Sequence, residues 1–82
     1  MRWTVTWEPS AVNATVRHLE KHPETLSEVF EATDMLTKDV KPVGSSPWGT
    51  SHRRLRVGRW RILYRIDDAN QTLHIEHVGF TG

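Results

Sequence analysis

The chain has no cysteine. A disulfide frame, a thiolate zinc site and a cysteine nucleophile are therefore excluded, and the composition fits the reducing cytoplasm. Long apolar runs are missing too. The longest is Ile62-Leu63-Tyr64, so neither a transmembrane helix nor the apolar stretch of a signal peptide is expected, and no membrane partner. Length is also limiting, because 82 residues bury only about 60 to 65% of the surface an unfolded chain exposes, enough for one two-layer core. One soluble domain over residues 1–82 is expected, without internal repeats or low-complexity tracts.

The remaining absence is local. Between positions 53 and 65 there is no acid, and all six arginines of the second half lie there. Residues 1–50 hold five Lys/Arg against seven Asp/Glu, a balance of −2. Residues 51–82 hold six Arg against Asp67, Asp68 and Glu76, a balance of +3, so the overall +1 averages two unlike halves. None of the later basic residues is lysine. A guanidinium offers a planar fork that grips a phosphate through two hydrogen bonds, whereas an ammonium acts as a point charge, so a polyanion is the natural partner.

Residues 2–7 alternate β-branched and aromatic types and predict a strand with Trp3, Val5 and Trp7 on one face. Pro9-Ser10 is a helix start, and Val12, Val16 and Leu19 recur on one side of a helix ending before Pro23. Pro23-Glu24 suits the first turn of a second helix, whose stripe is Leu26, Val29, Phe30, Thr33 and Leu36. From Val40 to Thr50 the density of Pro, Gly and Ser predicts a long loop. Period two then returns: His52 to Val57, a turn at Gly58, Arg59 to Ile66, a turn through Asp67-Asp68-Ala69-Asn70, and Thr72 to Phe80. The order β-α-α-β-β-β predicts an α+β domain, with a helical hairpin on one face of an antiparallel sheet and the other face open.

Alternation decides which arginines share a surface. Leu55, Val57, Ile62 and Ile66 should face the helices, leaving Arg54, Arg56, Arg59, Arg61 and Arg65 with His52 on the open face. Strands about 4.8 Å apart then crowd several guanidinium groups together, at a cost that an anion relieves. The plainer alternative is a solvated, charged strand face that discourages aggregation. Arginine on both strands of one hairpin, with no acid between, favours the anion site.

Residues 54–68, Arg-Leu-Arg-Val-Gly-Arg-Trp-Arg-Ile-Leu-Tyr-Arg-Ile-Asp-Asp, resemble the "R-L-R-V-G-x-[YW]-R-[IVL]-[IVL]-Y-x-I" core of the RelE/ParE superfamily of toxins from type II toxin–antitoxin systems. His77-Val78-Gly79 is similar to the "H-V-G-H-R" close of that superfamily's last strand. The element order and length agree as well. This resemblance implies an endoribonuclease that cuts mRNA on the ribosome, with a cognate antitoxin protein as partner in a toxin–antitoxin hetero-oligomer. A ribose 2′-OH would attack the adjacent phosphate and leave a cyclic phosphate.

Carried over by position, the resemblance implies that Arg54 and Arg61 stabilise phosphate charge and that His52 is the base. An imidazole suits that task because it titrates near neutrality. His77 serves as an acid or base if it points to the open face, and otherwise as a structural histidine. Arg53, Arg56, Arg59 and Arg65 would add RNA or phosphate contacts, and Trp48 would either stack on a base or anchor its loop. Tyr64 is expected beneath the sheet. Where ribonuclease members carry an arginine after the last-strand glycine, this sequence has Phe80-Thr81 and ends at Gly82. The catalytic set is thus a reduced one. The alternatives are a toxin fold that only binds its antitoxin and a gyrase inhibitor of the ParE branch. His18, His22 and His74 lack metal-ligand spacing, so no metal or other cofactor is expected.

Overall fold

The structure, a computed structural model, describes residues 3–81; Arg2, at the start of the expected first strand, lies outside them. Among the described residues the chain forms β1 (Thr4–Trp7), α1 (Pro9–Lys21), α2 (Leu26–Met35), β2 (Ser45–Trp48), β3 (His52–Val57), β4 (Trp60–Asp67) and β5 (Thr72–Phe80). The α+β class and the helical hairpin stand as expected. The sheet has one more strand than expected and is mixed, in the order β1-β5-β4-β3-β2. The β1 strand runs parallel to β5, with Thr4 opposite Thr72 and Trp7 opposite Ile75, while the other pairs are antiparallel. No helix among the described residues is long and apolar enough to cross a membrane.

The additional strand is β2, within the segment whose composition predicts a loop. Gly44 turns the chain in at φ +96°, and a Cβ there would meet the Arg56 carbonyl oxygen at 3.3 Å. Pro47 is tolerated because β2 is an edge, where a missing N–H need not face a neighbour. The β3–β4 hairpin turns as predicted, with Gly58 at φ +58° opening a two-residue loop between Val57 and Trp60. At the next turn Asp67 accepts hydrogen bonds from the Asn70 backbone and side-chain amides.

The core lies between the helices and one sheet face: Leu26, Val29 and Leu36 meet Leu55, Trp60, Ile62, Tyr64, Leu73, Ile75 and Val78, all buried. Tyr64 sits beneath the sheet as expected, donating its hydroxyl to the Val40 carbonyl at 2.6 Å. Burial pushes its phenol pKa up. The α2 helix starts at Leu26, after a turn that takes in Pro23 and Glu24. It buries Leu26, Val29 and Thr33 but leaves Phe30 half exposed.

The first helix departs further from expectation. It turns Ala11 and Ala14 to the sheet, and Val12, Val16 and Leu19 remain about half exposed. Small side chains let the helix axis approach β5 more closely than the aliphatic stripe would. One turn on, the His18 ring meets the Trp60 indole edge-on, with centroids 5.4 Å apart. Burial lowers the His18 pKa from 6.5 and outweighs an opposing hydrogen bond with the Val78 backbone.

Candidate functional site

The open face is organised by strand register. Across β3, β4 and β5, one row is Arg56–Arg61–Gly79 and the next is Arg54–Leu63–His77. The third is His52–Arg65–His74. A register shift at Leu63/Tyr64 leaves Glu76 as an extra residue of β5, because Leu63 pairs with His77 and Tyr64 with Ile75. Buried Ile75 and Val78 therefore flank two residues instead of one, and both Glu76 and His77 turn outward. The bulge resolves the doubt over His77, which is exposed on the open face.

This face divides into two halves of different charge. The Arg54, Arg56 and Arg61 side borders two adjoining cavities of about 340 and 480 Å³, and Arg54 and Arg61 line both. Leu63 and Gly79 lie along the sheet in the smaller cavity, with Trp48, His77 and Thr81 around them. Arg56 and Ser46 contribute to the larger one. Among the described residues no carboxylate lines either cavity.

The third row is compensated instead. Glu76 Oε1 lies 2.9 Å from His52 Nε2, and Glu76 Oε2 accepts from Arg65 Nε at 3.2 Å. Burial pushes the Glu76 pKa up, but the hydrogen bonds and charges of His52 and Arg65 outweigh it and hold the carboxyl below its ordinary 4.5. Farther along, His74 Nδ1 meets Glu8 Oε1 at 2.9 Å and His74 Nε2 lies 3.8 Å from Asp67 Oδ2. Among the described residues no cluster of His, Asp or Glu side chains is arranged to hold a metal ion.

Within the cationic half two arginines are fixed. The Arg54 guanidinium carbon stands 4.9 Å from the centre of the Trp48 ring, a cation–π contact. Arg61 Nη1 donates to the Gly58 and Trp60 carbonyls, each at 2.9 Å, which anchors it to the hairpin turn. The structure thus brings Arg54, Arg61, His77 and Trp48 to one cavity, with Arg56 beside it.

Four expected site residues fall elsewhere. Arg53 has the parity of Leu55 and lies on the helix side, where Nε and Nη2 donate to Ser45 Oγ at 3.1 and 2.9 Å. Arg59 belongs to the hairpin turn; its Nε donates to the Thr81 carbonyl at 3.0 Å, and its guanidinium lies 5.3 Å from the Phe80 ring centre. Arg65 and His52 share Glu76 and line neither cationic cavity. Glu76 itself escaped sequence reasoning because it lies eleven positions after Arg65, and only the pairing of β4 with β5 brings the two side chains within hydrogen-bond distance. Its shared parity with His74 was the available signal.

Solved structures with this architecture include toxins and toxin–antitoxin complexes. The RelBE2 toxin–antitoxin complex of Mycobacterium tuberculosis contains a chain 25% identical, with a TM-score of 0.82 over 98% of this chain and 99% of that one. An archaeal RelE–RelB complex from Pyrococcus horikoshii gives 18% identity and a TM-score of 0.76, covering 100% and 98%. The YoeB dimer of Staphylococcus aureus gives 13% and 0.74, with both chains fully covered. No curated protein matches the sequence significantly. The sequence profile of the ParE toxin of the type II toxin–antitoxin system parDE matches residues 2–81. With the whole domain matched in sequence and the same architecture in solved toxins, the chain belongs to the ParE toxin family of type II toxin–antitoxin systems.

Proposed function

We propose that this toxin is an endoribonuclease that cuts mRNA on the ribosome and is held in check by a cognate antitoxin. The observation that carries the proposal is the cavity where Arg54, Arg61 and His77 meet without a carboxylate. Cleavage by an internal 2′-OH needs a proton acceptor, positive charge for the phosphorane and a proton for the leaving oxygen. Arg54 and Arg61 supply the charge, and both are held by contacts that leave little reorganisation at the moment of reaction.

His77 takes the proton from the 2′ oxygen as the O2′–P bond forms. The P–O5′ bond then breaks, and the 5′ oxygen receives a proton from the resulting imidazolium. One imidazole thereby serves as base and then as acid. His52, the base implied by position in the superfamily, supports the neighbouring row through Glu76. Its Nε2 faces a carboxylate instead of the cavity.

The match to the ParE profile favours a second reading, that of a gyrase inhibitor, and Thr81 in place of the expected arginine agrees with it. Purified protein added to a translation extract and, separately, to a gyrase supercoiling reaction tests the choice. Message cut on the ribosome with supercoiling unaffected is the expected result; intact message with blocked supercoiling reverses the assignment.

A further inference from the structure

Trp48 places a half-exposed indole, 54% accessible, on an edge strand beside a cationic cavity. Leaving so large an apolar group in water forgoes much of the stabilisation that burial would provide. The Arg54 guanidinium carbon already stands over its ring, 4.9 Å from the centre. A cation–π contact is electrostatic and consumes no N–H donor in a hydrogen bond, which leaves those donors for a phosphate.

Gly79 adds an independent observation. Its backbone is not left-handed, so its conformation does not call for glycine. A Cβ there would meet His77 Nε2 at 3.6 Å, an ordinary contact, so the fold itself tolerates a side chain. What a side chain would occupy is the cavity beside His77. The missing side chain thus preserves room next to Leu63, at about 340 Å³ near the lower end of small-ligand pockets, which run roughly 300–1,000 Å³.

We infer that this cavity takes one unpaired nucleobase, stacked against the Trp48–Arg54 pair over Leu63, with the adjoining phosphate turned to Arg61 and His77. The inference rests on the RNA reading above and deepens it. A flat apolar ligand with an anion directly attached satisfies both the indole and the cations, and a nucleotide of single-stranded RNA is such a ligand. Stacking is tolerant of base identity because every base presents a π-face.

The test uses the full chain and fluorescence anisotropy with a 2′-O-methyl hexaribonucleotide, whose blocked 2′ oxygen cannot attack. The same backbone without bases and inorganic tripolyphosphate serve as comparison ligands. The base-bearing chain should bind roughly 5- to 150-fold tighter than the abasic one. Trp48→Ala should remove most of that preference and weaken tripolyphosphate far less than the base-bearing chain, whereas Trp48→Phe should retain the preference.

An intact preference in Trp48→Ala overturns the inference. Equal weakening of all three ligands also overturns it, since Trp48 would then act only by holding Arg54. Arg61→Ala separates this failure from that of the parent reading: if it leaves tripolyphosphate and both oligonucleotides bound as before, the phosphate site itself is wrong. If an acidic peptide bearing an aromatic residue displaces the base-bearing chain and binds more tightly, the cavity belongs to a protein partner instead.

Discussion

Glu76 holds His52 at 2.9 Å, and with its other oxygen it reaches Arg65 at 3.2 Å. Because these partners lower its pKa, Glu76 contributes stability that is present above the unfolded value of about 4.5 and lost as the pH falls through the lower folded value. Thermal unfolding followed between pH 6 and roughly pH 3 should therefore show a steeper loss for the wild type than for Glu76→Gln. A variant with the same acid profile as the wild type would mean that the His52–Glu76–Arg65 cluster contributes no such stability.

The same carboxylate occupies Arg65, which lies in the row next to that of Arg54. Releasing Arg65 in Glu76→Gln should let RNA engage one further phosphate. The plot of log affinity against log salt should then steepen by about 0.7 for a single strand. An unchanged slope would show that Arg65 does not gain a phosphate when Glu76 is neutralised.

Arg61 tests the opposite direction. Arg61→Ala should weaken oligonucleotide binding across sequences and reduce the salt slope by about 0.7, as expected when one phosphate is no longer neutralised by the protein. Arg61→Lys should recover charge but not the bidentate grip, and bind between the two. Binding isotherms at several salt concentrations provide the measurement.

The two histidines should behave differently. His77→Ala removes the imidazole of the cavity and should slow cleavage by about 10² to 10⁴-fold, the usual worth of a positioned acid or base. His52→Ala leaves the cavity lining intact, so its effect should be within about tenfold, or about 1.4 kcal/mol in barrier. Single-turnover cleavage of ribosome-bound message would separate them.

Tyr64→Phe isolates a purely structural bond. Removing the hydroxyl that donates to Val40 at 2.6 Å strands a carbonyl and should cost about 1 to 2 kcal/mol. For a domain of this size that lowers Tm by about 4 to 16 °C. Cleavage measured below the transition should be unchanged, because Tyr64 lies on the far side of the sheet.

Much of this site was legible because its residues alternate. Arg54, Arg56 and Arg61 share parity against Leu55, Val57 and Ile62, and a period of two follows directly from the pleat. His77 was ambiguous for a physical reason: counting from Leu73 and Ile75 buries it, counting from Gly79 exposes it, and only the bulge reconciles the two. The β2 strand was hidden by Gly, Pro and Ser, which an edge accommodates. Pairing between β1 and β5 joins the two ends of the chain and leaves no local signal. In α1 the apolar period was correct but the buried face was not, since close packing selected Ala11 and Ala14 over Val12 and Val16. Arg53 and Glu76 teach a similar lesson, because neighbours in a sheet are set by register instead of by distance along the chain.

A ribonuclease working through this cavity is judged by the end group left on message cut in a purified translation system. Wild-type protein should leave a cyclic phosphate at the new 3′ end, and Arg61→Ala should leave the message intact at the same dose. Uncut message with the wild-type protein, or equal cutting by Arg61→Ala, would contradict the assignment of the Arg54–Arg61–His77 cavity as a ribonuclease site.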